Sequence, residues 1–471
     1  MKHLLLLGVG PLPFYKSEHL YGFGIRTWQF ARPLLAAGHK VTLITCEFGV
    51  QRENELKLEY MHDPSVYGNL EHLPLPQPTP KNENVLLTRI EDVIHGSKPD
   101  GVIAAGSTIA TNLAASIRPV LPLWLDMFGD LFTEVQAKSP FADSDEELQF
   151  FHRILARVLL RGDRFSVVSE IQRGVAIGQL GFLGRLNRHT LSEELVFTIP
   201  CAMDGTITPV KKRTVLRGRE VENSDFLILC SGGFNTWADI ETLFFGIEGA
   251  MEKNPRIHCI VTGGSITGHH EAGFNRFRSL ISKSSYEKRF HLLGWVPNED
   301  VPEITMECNL GLNVDLPIYE SQVGSRNRML LWMQCGLPIL TTVTTELSRI
   351  LSQNDLVIGV PTRKDKLIAR KILEVSQDQE PLKQMAARAR QFAYEYFTFE
   401  ETVQPLLHWA ENPQRAADNA ERENQDWEPL NPVDLMWHEW AFPGQTFGKN
   451  SAQTNHHYPN LKNWLKKMIG S

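Results

Sequence analysis

The sequence predicts an α/β protein of two doubly wound domains facing across a cleft, followed by a C-terminal tail that wraps back on the first. Three observations carry this. Short apolar strands alternate with amphipathic helices through the first half; the alternation restarts after a charged break; and the composition changes beyond Trp409. Apolar strands without polar alternation, separated by helices, imply parallel sheets covered on both faces. At 471 residues the chain can hold two cores and a tail.

Residues 3–9 read as the first strand, 26–37 as a helix ended by Gly38, and 41–45 as the second strand. Later strands are expected at 101–105, 121–126 and 166–169. Residues 203–225, carrying VKKRTVLRGREVENSD, are polar and charged and read as a linker. The pattern resumes with a strand at 226–230, a helix at 238–253, strands at 258–262, 291–293, 310–314 and 339–342, and helices through 364–396. The expected domains are therefore 1–205, 206–400, and a C-terminal helix and tail at 401–471. In the tail, Trp427, Trp437, Trp440 and Trp464 are too many for a disordered end, so it is expected to pack on the first domain. The alternative for its basic amphipathic end, 461–469, is a peripheral contact with a membrane or a partner.

Composition narrows the function classes. Hydrophobic content of 42% and charged content of 22% are ordinary for a globular protein, and a net charge of −7 speaks against nucleic-acid binding. The six cysteines are scattered without zinc-ligand spacing, as expected of reduced thiols inside a cell. The apolar run in MKHLLLLGVGPLPF is short and reads as a strand, not a signal peptide. No segment approaches the ~20 apolar residues that span a bilayer. A cytoplasmic protein is expected, with the inner membrane face as its alternative address.

The most informative stretch is ESQVGSRNRMLLWMQCGLPILTT, residues 320–342. It parses as loop, helix, turn and strand: Ser325 as N-cap, Gly336 at the helix end, Pro338 preventing continuation, Ile339 opening the strand. Arg326 and Arg328 then fall in the first helical turn, where a cation costs roughly 0.3–1 kcal/mol. They make sense there if an anion, most simply a phosphate, sits at that helix end. The alternative is a later helix start that leaves both arginines solvated.

Two glycine turns follow strands. Gly22, Gly24 and Arg26 lie in a loop that opens a helix, and Arg26 again puts a cation in a first turn. Gly232-Gly233 precede Asn235, Thr236 and Trp237; Asn235 or Thr236 can cap the next helix, but capping does not explain a glycine pair beside a tryptophan. The match to a dinucleotide fingerprint is incomplete, with only an approximate acid at Glu47, so a nicotinamide oxidoreductase ranks low. Asp126 and Asp130 follow an apolar strand of the first domain, and Asp126 is a candidate site carboxylate, with loop capping as the alternative; Glu170 is a weaker candidate. Asp143-Ser144-Asp145 reads as the acidic first turn of a helix, and the histidines lack metal-ligand spacing, so no metal is expected.

The segments GFGIRTWQFARPLLAAGHKVTLIT, SEIQRGVAIGQLGFLGRLN, GGFNTWADIETLFFGIEGA and the 320–342 stretch resemble, in that order, segments of glycosyltransferases with two Rossmann-like domains, the GT-B fold. The resemblance is nearest to a bacterial branch of the retaining, nucleotide-sugar-dependent group (glycosyl transferases group 1), and covers about residues 1–410.

It implies a nucleoside-diphosphate sugar as co-substrate, no further cofactor, and a glycan, lipid-linked or small-molecule acceptor. By position it implies that the Gly22–Arg26 loop lies against donor phosphate or acceptor. Arg326 and Arg328 would neutralise the leaving diphosphate. Gly294, Trp295 and Val296 would hold the nucleobase through backbone groups, and Glu320 would contact donor-sugar hydroxyls. The family's second acid is missing: its place falls on Leu331 counting back from Gly336, or on Arg328 counting forward from Glu320. That departure leaves open a sugar-nucleotide epimerase of the same fold, or a catalytically silent nucleotide-sugar-binding protein.

Overall fold

Two all-parallel sheets organise the chain. The structure, a computed structural model, describes residues 1–422 apart from 18, 62–63, 142–144 and 267–270. The first sheet holds β1 (His3–Gly10), β2 (Lys40–Glu47), β3 (Leu70–Pro76), β4 (Gly101–Ala104), β5 (Leu123–Asp126), β6 (Arg164–Val167) and β7 (Val196–Thr198), in the order β3-β2-β1-β4-β5-β6-β7. The second holds β8 (Phe226–Gly233), β9 (Ile257–Gly264), β10 (Phe290–Gly294), β11 (Leu310–Asn313), β12 (Ile339–Thr342) and β13 (Ile358–Val360), in the order β10-β9-β8-β11-β12-β13. Each order reverses beside its first strand, which opens a crevice at the carboxyl ends of the strands. The central strands are apolar throughout because helices cover both faces; Leu4 to Leu7 are all essentially excluded from water.

The expected strands are present, with ends shifted by a few residues. Three more were not foreseen: β3, β7 and β13. β3 carries two prolines and β7 and β13 are three residues long, so none presents a sustained apolar run. All three are at or next to a sheet edge, where prolines and short strands are tolerated.

The chain passes between the domains twice, and the passages touch. Met203 donates its N–H to the Phe397 carbonyl and accepts from the Phe399 N–H. The Arg32 guanidinium ties both passages together, pairing with Asp204 and with Glu400. Beyond this point Phe399, Val403, Leu406 and Trp409 join the core of the first domain, and the Arg185–Asp418 pair is buried there. The tryptophans expected to fasten the tail, and the 461–469 segment, lie outside the described residues.

Candidate functional site at the domain junction

The carboxyl ends of the two sheets meet. Asn298 donates its backbone N–H to the Ser17 carbonyl, and the Trp295 ring lies 5.0 Å from His19 and 5.5 Å from Tyr21. Lower in the junction, the Ser169 hydroxyl donates to the Val323 carbonyl, and the Glu170 and Ile171 N–H groups donate to Glu346. That carboxylate, from the second domain, occupies the positive end of the Glu170–Phe182 helix of the first.

The Gly22–Arg26 segment corrects its expectation. It is helical: the helix spans Gly22–Ala36, and Arg26 lies one turn inside it. Arg26 turns into the domain and makes two hydrogen bonds to Asp126, at 2.9 and 2.7 Å. Ser166 donates to the same carboxylate at 2.7 Å. Both partners are 1% exposed, so they are consumed by each other, and neither Arg26 nor Asp126 is presented to the cleft. The glycines serve close packing. A Cβ on Gly24 would strike the Pro11 carbonyl, and one on Gly22 would come within 2.8 Å of Asn327 in the second domain. Asp130 caps the Leu131–Lys138 helix through the Thr133 N–H, at 2.9 Å.

The 320–342 stretch keeps its helix, Asn327–Gln334, but its N-cap is Arg326, not Ser325, and no side chain caps it. The two arginines have separate fates. Arg326 is 3% exposed and saturated: it donates to Asp315 at 3.1 Å and to both Glu320 oxygens at 3.1 and 2.9 Å, and its guanidinium lies 5.0 Å from the Trp237 ring. Burial lowers its pKa, and the two carboxylates more than reverse this, so the charge is held above its ordinary range. Arg326 therefore orients Glu320 and is not free to clamp a diphosphate. Burial raises the Glu320 pKa, opposed by Arg326.

Arg328 is the open cation. It is half-buried and donates to the Gly233 carbonyl at 2.7 Å; among the described residues no carboxylate lies within ion-pairing distance of it. Burial lowers its pKa, which marks a guanidinium short of compensating charge.

Below Arg328 the floor is glycine. Gly232 and Gly233 pair in register with Gly263 and Gly264 at the carboxyl ends of β8 and β9. A Cβ on Gly263 would fall 2.5 Å from the Gly232 carbonyl oxygen, and both Gly232 and Gly263 have positive φ. Sequence reasoning found only the first pair; the Thr262-Gly263-Gly264 ending of the next strand carried the same signal. Gly294 also has positive φ, with open space where its Cβ would point. Trp295 donates its indole N–H to the Ser265 carbonyl at 3.1 Å, and Val296 packs into the adjoining core.

The expected capping by Asn235 or Thr236 is corrected: Asp239 caps the Ile240–Lys253 helix, accepting from the Thr242 N–H at 3.2 Å. Asn235 instead closes a turn, its carbonyl accepting from the Ala238 N–H, while the Trp237 carbonyl accepts from the Leu316 N–H. Sequence reasoning also missed Asp315, which touches Arg326 just past β11, and Glu134 of the Leu131–Lys138 helix. The Glu134 carboxyl is pushed up to about 8 by burial and by Glu320 across the junction.

Residues 247–408 match the family model described as glycosyl transferase-like. No curated protein matches the sequence. Sucrose-phosphate synthase from Thermosynechococcus elongatus is similar in structure, with a TM-score of 0.65 at 16% identity over 87% of this chain and 98% of that one. Anabaena HepE in complex with UDP and glucose has a TM-score of 0.59 at 14% identity, over 87% of this chain and 99% of its own. The E. coli trehalose-6-phosphate structure bound with UDP-2-fluoro glucose has a TM-score of 0.61 at 10% identity, over 88% and 100%. The architecture is the two-domain GT-B fold.

Proposed function

We propose that this protein is a glycosyltransferase that moves a sugar from a nucleoside-diphosphate sugar to an acceptor hydroxyl, with retention and without a metal. The observation that carries this is Arg328. A half-buried guanidinium without a carboxylate partner among the described residues stands over a floor of four glycines, beside a helix start that no side chain caps. Free N–H groups, a desolvated cation and space for close approach are what a diphosphate requires. The match of residues 247–408 to the glycosyl transferase-like family, and the UDP and sugar bound in structures of the same fold, support the same reading.

On this reading the diphosphate lies along the β8–β9 glycine edge, with Arg328 neutralising the charge that develops as the sugar leaves. The cation and the helix N–H groups do the work a metal would otherwise do. Glu320, fixed by Arg326, faces the sugar hydroxyls, and Gly294 to Val296 lie beside the nucleobase. Arg326 serves by orienting Glu320. A hexose donor and an acceptor presented by the first domain, as a glycan, a lipid-linked sugar or a small molecule, complete the proposal.

A catalytically silent nucleotide-sugar binder is favoured by one observation: the place of the second acid that the resemblance implies falls on Leu331, or on Arg328 counting forward from Glu320, and neither residue is acidic. Incubation with a panel of nucleotide sugars, with and without a chelator, separates the two. Nucleoside diphosphate release that survives chelation is expected. Nucleotide binding without release for any donor and acceptor would establish the silent binder instead. Among the described residues no helix is long and apolar enough to cross a membrane.

A further inference from the structure

The Leu131–Lys138 helix of the first domain packs on the Tyr319–Val323 helix of the second, which carries Glu320 in its first turn. Glu134 stands at this contact. It is half-buried, and among the described residues its carboxyl group has no hydrogen-bond or ion-pair partner. It lies over Gly129, where any Cβ would collide with its Oε1, and the Gly129 φ of +87° is one that only glycine adopts freely.

The charged groups facing it are Glu320 and Arg326 across the junction, and Asp130 and Lys138 on its own side. Neither cation is spare. Arg326 is filled by Glu320 and Asp315, and Lys138 is 3.3 Å from Glu147. Arg328, Asp315, Arg326, Glu320 and Glu134 thus form a continuous line of interacting charges from the glycine floor to the first domain.

We infer that Glu134 lines the sugar end of this cleft as a partner for a sugar hydroxyl, and that the Glu320 carboxylate beside it restricts the donor to sugars that carry no carboxylate. This rests on the donor reading above and goes beyond it by naming the substrate class. A sugar hydroxyl satisfies a carboxyl group that lacks a partner, because it can donate and accept. A uronate would bring a second anion to Glu320 with no counter-ion in reach, and like charges in a poorly solvated crevice reject one another strongly. Glu134 reports the same environment: burial and Glu320 hold its own proton on at neutral pH, so it meets the sugar as a neutral acid.

The test measures binding of UDP, UDP-glucose and UDP-glucuronate, and of GDP, GDP-mannose and GDP-mannuronate, to the whole protein by calorimetry near pH 7. Within the series that binds, the uronate should be at least about tenfold weaker than the neutral sugar. Equal affinities would overturn the inference while leaving the donor reading standing; no binding in either series would remove the donor reading and this inference with it. Glu134→Gln supplies the second arm, with nucleoside diphosphate binding as the control for a folded site. Between about pH 7 and pH 9 the wild type should lose affinity for the neutral sugar nucleotide as Glu134 ionises, and the Gln variant should not. Parallel curves for the two proteins would remove Glu134 from the sugar site.

Discussion

The Arg326 guanidinium holds Glu320 with two hydrogen bonds, 3.1 Å to Oε1 and 2.9 Å to Oε2, with the side chains only 3% and 5% exposed. Such a pair adds little net stability, but breaking it strands a buried charge. Arg326→Ala leaves Glu320 and Asp315 without their cation and should destabilise the protein by about 3–5 kcal/mol in urea unfolding. Adding Glu320→Gln should recover part of that loss, because the two residues are coupled. A stable Arg326→Ala protein would show that the guanidinium is not what holds this corner together.

Arg328 should behave in the opposite way. Among the described residues Arg328→Ala breaks no ion pair and only one hydrogen bond, to the Gly233 carbonyl, so the unfolding midpoint should stay far closer to the wild type than in Arg326→Ala. Turnover should fall about ten- to a hundredfold, the worth of about 1.5–3 kcal/mol in one charge-assisted contact. Steady-state kinetics beside a melting curve read both, and unchanged turnover would count against the diphosphate assignment.

The glycine floor gives a backbone test. Gly263→Ala places a Cβ 2.5 Å from the Gly232 carbonyl oxygen at a φ of +85°, and should destabilise by about 1–3 kcal/mol and weaken nucleotide binding. Gly174, inside the Glu170–Phe182 helix with open space at its Cβ, is the control: Gly174→Ala should stabilise by about 0.5–1 kcal/mol. Equal effects at the two sites would mean that the floor is not tightly packed.

Glu134 predicts the shape of the pH–stability curve. Its folded pKa, about 8, lies above the unfolded value near 4.3. Between those values the unfolded chain has released a proton that the folded protein keeps. The group's contribution is therefore complete below the lower value and is lost as pH rises through the higher one. Relative to Glu134→Gln, the wild type should lose stability across that window and run parallel to the variant above it. Chemical denaturation at five or six pH values decides this; a constant offset would mean that Glu134 titrates as an ordinary carboxylate.

Most of the fold was legible in the chain because it rests on local patterns. The apolar runs at Leu4–Leu7 and Phe226–Cys230, and the turn at Gly336-Leu337-Pro338, each report their own element. β3 was not legible: its prolines suit an edge strand only once a neighbour is known. The site was legible in part. Arg328 and Gly232-Gly233 were found because a cation at a helix start and a glycine pair after a strand are anomalies of local chemistry. Arg26 and Arg326 raised the same signal, but the anions they meet are the protein's own carboxylates, Asp126 lying 100 residues away and Asp315 in a different element.

The sequence alone therefore determined the elements, the two-domain parallel architecture and the presence of arginines that require anionic partners. Only the tertiary structure decided which anion each receives. Asp126 neutralises Arg26 and the Glu320–Asp315 pair neutralises Arg326, while among the described residues Arg328 has no carboxylate within ion-pairing distance and stands over the glycine floor. The reason is one of range: helix and strand propensities act over a few residues, whereas a buried charge is set by whatever the fold brings within a few ångströms, however distant in sequence.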